Sequence, residues 1–410
     1  MATFSPGPRT PTAIPSLILG ALTAADSTYR KLPGMAAYDT THLPVRLGPP
    51  YPDLATLGGD SEISLLVAAG ADSTRIEELL GRIGADRVVP GEGGVLLAAG
   101  TLGRLLAGVR DDPTHGAGST IGVALRDLLT HLKGPAPSLR VGGQVWDFGR
   151  RTYLVGIVNV TPDSFSGDGV GRDPAAAAEL AHRLVTEGAD AIDLGGESTR
   201  PGHAEVEEGE EIERVLPALK LIAGEVGVPV FVDTSKAAVA RAALAGGADG
   251  INDVWGLRRD PEMAGVVAAA QVPVICMHNQ IGHEYSDLMG DLLSHLQGSL
   301  HLAQTGGIPR DQVLIDPGIG FGKTPAQNYE VLRRLIELRT LGCPVLVGTS
   351  RKSLISWVLD DRPVDGRLLG TAATVAWSVA SGADVVRVHD VAQMRDVVRV
   401  MDVMARRPPS

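Results

Sequence analysis

Eight short apolar runs recur from residue 153 onward in this 410-residue chain, each ending in, or running into, a polar or charged group. They lie at 153–158, 190–195, 229–233, 249–253, 272–277, 312–316, 344–348 and 384–389. Runs this short, and this rich in Val, Ile and Leu, read as strands buried on both faces. Helical patterns separate most of them, at 175–187, 208–224, 236–245, 263–270, 288–304, 325–341 and 371–381. Strands alternating with helices imply parallel strands joined by crossovers. Eight such units in this length fit the (β/α)8 TIM barrel, an α/β fold. A doubly wound open sheet is the alternative, but it would rarely carry functional polar residues at the ends of all its strands.

Composition narrows the class. Apolar residues make up 44% of the chain, enough for a large core, and 51 glycines and 27 prolines supply the turns that an α/β chain needs. A net charge of −11 argues against general nucleic-acid binding, so an anionic ligand would need a locally basic pocket. Cys276 and Cys343 sit in apolar runs and read as reduced core residues of a cytoplasmic protein. No apolar run approaches the ~18 residues needed to cross a membrane.

The chain divides before the barrel. Residues 1–15 hold four prolines and are expected to be a disordered tail. Residues 16–133 read as a small N-terminal α/β domain, with helices near 16–26, 74–83, 102–109 and 119–133 and a strand near 94–98. No catalytic constellation is evident there. Gly91-Glu92-Gly93-Gly94 lacks the spacing of a dinucleotide fingerprint, and no strand is expected before it. Residues 134–138 form a Pro-rich linker, and 139–410 the barrel domain. Its first segment, 139–146, reads as a hairpin turning at Gly142-Gly143, placed to plug the bottom of the barrel.

In such a barrel the carboxyl ends of the strands build the active site. Here they deliver Asn159, Thr161 and Asp163; then Asp193 with the loop Gly195-Gly196-Glu197-Ser198-Thr199-Arg200-Pro201-Gly202; then Asp233, Asn252-Asp253 and Met277-His278. Strand six delivers Asp316 with Pro317-Gly318-Ile319-Gly320-Phe321-Gly322-Lys323, strand seven Ser350-Arg351-Lys352-Ser353, and strand eight Arg387 and His389. Strand side chains alternate with period two. If Val386 and Val388 pack under helices, Arg387 and His389 face the mouth, and with Lys352 they make a cationic corner suited to a diphosphate. Asp233, Asn252 and Asp316 are short hydrogen-bonding groups that could read a flat nitrogen heterocycle and stabilise positive charge on it. Asn159 could share a Mg²⁺ ion with the diphosphate, because Mg²⁺ takes few protein ligands.

These motifs, spanning about residues 139–404, resemble the signatures of the dihydropteroate synthase family. The resemblance implies a (β/α)8 barrel that joins 6-hydroxymethyl-7,8-dihydropterin diphosphate to 4-aminobenzoate through a pterin-methyl cation. It implies a pterin site at Asp233, Asn252, Asp316, Lys352 and Arg387, with Arg387, His389 and Asn159 at diphosphate and Mg²⁺. It also implies an aminobenzoate site at Thr199, Arg200, Pro201, Phe321 and Ser353, sulfonamides as inhibitors, and a homodimer. Asp233, Asp316, Lys352, Arg387 and His389 are the expected catalytic set. Two alternatives share part of it: a methyltetrahydrofolate–corrinoid methyltransferase and an inactive pterin-binding paralogue. Where the family usually has Ser-Asp-Gly-Gly after its first motif, this chain has Ser166-Gly167-Asp168-Gly169.

Overall fold

The computed structural model describes residues 45–48, 62–68, 73–90, 95–101, 104–105, 107–108, 127–132, 134–161, 171, 173–197 and 206–406. The expected tail at 1–15 and helix at 16–26 lie outside these. In the N-terminal region β1 (Val45–Gly48), β2 (Glu62–Ala68), β3 (Arg87–Pro90) and β4 (Val95–Thr101) form an antiparallel sheet in the order β1-β2-β4-β3. Helix α1 (Ser73–Arg82) packs on β3 and β4, burying Leu79 and Leu80. A strand does therefore precede Gly91, contrary to the sequence expectation. It pairs antiparallel with β4, so 91–94 links two antiparallel strands and does not open a nucleotide-binding βα unit.

A hairpin follows, β5 (Leu139–Val141) and β6 (Gln144–Trp146). Gly142 and Gly143 both have positive φ, 52° and 72°, the backbone that a two-residue hairpin turn of right-handed strands demands. The barrel is built from β7 (Tyr153–Asn159), α2 (Pro174–Glu187), β8 (Ala191–Gly195), α3 (Glu208–Ile222), β9 (Val230–Asp233), α4 (Ala237–Ala245), β10 (Gly250–Asp253) and α5 (Met263–Ala270). It continues with β11 (Val274–Met277), α6 (Leu288–Gly306), β12 (Val313–Asp316), α7 (Pro325–Arg333), β13 (Leu346–Val347), α8 (Ser353–Val358), α9 (Leu368–Ala380), β14 (Val385–Val388) and α10 (Val391–Ala405). All eight strands, β7 to β14, run parallel, and a single bridge between Ile315 and Val345 joins β12 to the segment entering β13.

Local chemistry sets the helix limits. Asp173 caps α2 by accepting from Ala175 N and Ala176 N, Pro174 opens the helix, and Gly188 closes it at φ 112°. Thr324 and Gln327 form a capping box at α7. The helix expected over 325–341 stops early. Arg334 leaves helical geometry, and 335–341 continues as a 3-10 turn around a buried pair between Arg334 and Glu337, Nε to Oε1 2.6 Å. Helix α10 is an addition to the sequence reading, although Val391, Met394 and Val398 are buried once per turn.

Strand parity sorts the interior. Ile192, Leu194, Val230, Val232, Ile251, Cys276, Ile315, Val386 and Val388 belong to the cluster under the helices. Ala191, Phe231, Ile275, Leu314, Leu346 and Val385 face inward and pack with Leu139, Val141, Trp146 and Phe148 of the hairpin region. Trp146 stacks on Tyr153 with ring centroids 4.6 Å apart. The hairpin thus closes the amino-terminal end of the barrel, and the interior is a packed core up to the layer where the inward residues become polar.

Candidate active site

One step along the strands from that apolar layer, the same inward parity presents Asp193, Asp233, Asn252, Asp316 and Arg387. All but Arg387 are buried. Arg387 lies across the floor. Its Nε donates to Asp193 Oδ2, and its Nη2 donates to Asp233 Oδ2 at 3.2 Å. Asn252 Nδ2 donates to Asp193 Oδ2 at 3.0 Å, which leaves the Asn252 carbonyl oxygen turned the other way. The second oxygens, Asp193 Oδ1 and Asp233 Oδ1, are buried acceptors with no donor among the described residues, a condition that native interiors avoid unless a ligand supplies it. Burial and the adjacent Asp193 push the Asp233 carboxyl well above its ordinary range, against the opposing pull of Arg387. Asp253, of opposite parity, instead accepts from Trp255 N and Leu257 N at 2.8 and 2.7 Å and holds a turn.

The wall opposite is the 316–323 turn. Asp316 Oδ1 accepts from Gly318 N at 2.7 Å, and burial raises its carboxyl while Lys352 opposes the rise. Lys352 Nζ donates to Ile319 O and stands 4.8 Å from the centre of the Phe321 ring. Burial lowers the Lys352 ammonium to about 8; Asp316 and Asp233 pull it up, and Arg387 pushes it down. The turn needs glycine at 318. Its φ is +68°, and a Cβ there would stand 1.9 Å from His278 O. Gly318→Ala is expected to destabilise the fold by roughly 3 kcal/mol through combined strain and overlap. An unfolding midpoint equal to that of the wild type would refute the close approach.

The remaining expected residues are spread over the rim. His389 Nδ1 lies 3.0 Å from Ser350 Oγ, and Ser353 is exposed at the start of α8. Asn159 ends β7 beside Gly195, where an added Cβ would come within 3.2 Å of Asn159 Oδ1. A single neutral oxygen in a space kept open by glycine fits a Mg²⁺ held mostly by phosphate and water. Thr199, Arg200, Pro201 and Asp168 lie outside the described residues. The structure therefore brings Asp233, Asn252, Asp316, Lys352 and Arg387 together and sets Asn159 and His389 on neighbouring strand ends. The cationic corner is less bare than the sequence suggests, because Arg387 is already paired with two carboxylates.

Sequence reasoning placed Asp193 at the end of strand two but gave it no role in the site, although the signal was present. It shares parity with Gly195 and sits between outward Ile192 and Leu194. Also unforeseen is a buried tie beneath the strand-two loop, in which Lys236 Nζ meets Glu197 Oε2 at 2.5 Å and Glu211 Oε2 at 2.6 Å.

Comparison with known proteins matches residues 155–389 to a family model described as pterin binding enzyme. A dihydropteroate synthase of Clostridium beijerinckii is 44% identical over 270 residues, covering 66% of this chain and all of the relative. Among solved structures, a dihydropteroate synthase from Clostridium difficile, crystallised in the presence of pteroic acid, is 46% identical with a TM-score of 0.61, covering 64% of this chain and 99% of that one. The Yersinia pestis dihydropteroate synthase in a sulfonamide drug complex is 38% identical with a TM-score of 0.62, covering 65% of this chain and 98% of that one.

Proposed function

Because the chain belongs to the pterin-binding enzyme family, and within it to the dihydropteroate synthases, we propose a division of labour for its strand-end residues. The activity is that of a transferase of folate biosynthesis. It condenses 6-hydroxymethyl-7,8-dihydropterin diphosphate with 4-aminobenzoate to give 7,8-dihydropteroate and diphosphate. Asp193, Asp233 and Asn252 form the floor under the pterin, and Asp316 and Lys352 read its opposite edge. The orphaned oxygens of Asp193 and Asp233 carry this reading, since a pterin ring supplies the N–H donors they lack.

The reaction then runs dissociatively. The C–O bond to diphosphate breaks, and the electron pair leaves with diphosphate toward Arg387 and His389. The carboxylates below stabilise the pterin-methyl cation that remains. The nitrogen of 4-aminobenzoate attacks that carbon, held near Phe321 and Ser353 with Thr199, Arg200 and Pro201, and the extra proton passes to water. No protein base is required, because a neutral arylamine is already nucleophilic. Mg²⁺ would be held by Asn159 and, when bound, would neutralise charge on the departing diphosphate.

The deciding experiment measures diphosphate release from the pterin diphosphate with and without 4-aminobenzoate. The expected result is release that depends on 4-aminobenzoate, with dihydropteroate formed in equal amount. Tight pterin binding without release would mark an inactive binding protein. Sulfonamides are expected to compete with 4-aminobenzoate, raising its KM at constant kcat; noncompetitive inhibition would remove the aminobenzoate assignment.

The proposal extends to assembly and compartment. Trp357, Val358, Leu369 and Trp377 are exposed on α8 and α9, an apolar face that supports a homodimer. No described helix is long and apolar enough to cross a membrane. Cys276 and Cys343 are buried free thiols, in keeping with a cytoplasmic protein.

A further inference from the structure

Lys323 follows the Gly-rich turn and points back beneath it. Its Nζ donates to Gly318 O and Phe321 O, each at 3.1 Å, and lies 2.9 Å from His278 Nδ1. Three acceptors satisfy an ammonium group completely. His278 is kept neutral by burial, by Lys323 and by His295, so its Nδ1 can accept, which places the ring proton on Nε2. Lys323 is itself buried and touches neither the floor nor the rim. Burial lowers its ammonium to about 7, with Asp316 pulling it up and Lys352 pushing it down; an amine buried at this cost calls for a compensating role.

We infer that Lys323 is a positioning residue for the pterin-reading lysine: it pins the 318–321 turn from below so that Ile319 O and the Phe321 ring hold Lys352 against Asp316. The chain of contacts is continuous. Lys323 fixes the carbonyls of Gly318 and Phe321. The segment between them carries the two groups that seat Lys352, the Ile319 carbonyl and the Phe321 ring. The far end of the turn is tied by Tyr285, whose hydroxyl donates to Gly322 O at 2.7 Å. This rests on the pterin reading given above.

The test compares Lys323→Met, which keeps most of the length of the side chain and removes its hydrogen-bonding amine, with the wild type. Pterin affinity is read by calorimetry, and the pH dependence of kcat/KM by diphosphate release. The charged groups facing Lys352 are Asp316, Asp233 and Arg387, with Lys323 behind the turn. Loss of Lys323 loosens the seat and lets water reach Lys352, so burial lowers its ammonium less and Lys352 becomes easier to protonate. The expected result is pterin affinity weakened at least tenfold, with the alkaline limb of the profile moved to higher pH. A merely structural lysine would lower the melting temperature without moving that limb. Should Lys323→Met fail to fold, Tyr285→Phe removes the hydrogen bond to the Gly322 carbonyl and is expected to weaken pterin binding about threefold, with a smaller limb shift in the same direction. Wild-type affinity and limb position in the folded variant would overturn the inference while leaving the synthase reading intact. Absence of 4-aminobenzoate-dependent release in the wild type would instead remove the reading on which it rests.

Discussion

Arg387→Ala is expected to lower kcat/KM for the pterin diphosphate about a thousandfold or more. The guanidinium neutralises two carboxylates at once, Asp193 and Asp233, and the Asp193 carboxylate is wholly buried. Removing one partner of a buried ion pair costs ~3–5 kcal/mol because the other charge is left uncompensated. Here that loss coincides with loss of the proposed contact to the leaving diphosphate, itself a charge-assisted bond. The sign of the accompanying pH effect follows from Asp233. Its folded carboxyl lies above the unfolded value and would rise further without Arg387. Such a group destabilises the fold most when pH exceeds the folded pKa, and the penalty fades as pH falls toward the unfolded value. The variant should therefore be relatively more stable at mildly acidic pH than at pH 8. Steady-state release within tenfold of the wild type would contradict the assignment of Arg387 to both floor and leaving group.

Asp316→Asn is the second large effect. The asparagine still accepts from Gly318 N, so the turn is preserved and the charge alone is tested. Pterin affinity is expected to fall by about 2 kcal/mol, or ~30-fold, the worth of a hydrogen bond to a charged group. Asp316 is also the strongest upward pull on Lys352, whose ammonium burial has already lowered to about 8. Without that pull Lys352 loses its proton at lower pH, and the alkaline limb of kcat/KM should move in the acid direction, opposite to the shift expected for Lys323→Met. Calorimetry at pH 7 together with the pH profile checks both parts. Unchanged affinity would take Asp316 out of the pterin site.

What the sequence disclosed and what it withheld have separable physical causes. The eight strands were legible because a doubly buried parallel strand is almost wholly apolar, and the mouth was legible because polar residues interrupt those runs at their ends. Period-two alternation in Val385-Val386-Arg387-Val388 places Arg387 inside, and the structure has it there. The same rule applied to Ile192-Asp193-Leu194 would have given Asp193 a place on the floor, but the Gly-rich loop that follows it drew attention to itself. The charge pairing of Arg387 could not be read at all, since its partners lie 194 and 154 residues away. Lys323 belongs to the same class: the sequence shows it only as the end of the strand-six loop, and the turn geometry alone shows it pointing down toward His278.

The thin closure of the barrel has a thermodynamic consequence. Strand β13 is two residues long. It pairs with β14 at two positions, and the segment entering it meets β12 at one, Ile315 with Val345, whereas β7 and β8 pair at five. That makes β13 the seam of the cylinder, the stretch whose local opening requires the fewest backbone bonds to break. Asp316 stands on one side of the seam and Lys352 on the other. On the proposed pterin site a heterocycle would bridge them and span the joint, so the free energy of its binding would at the same time be free energy of closure. Occupancy of the pocket and integrity of the cylinder would in this sense be one equilibrium, with the substrate as the missing rung of a ladder that the polypeptide leaves incomplete.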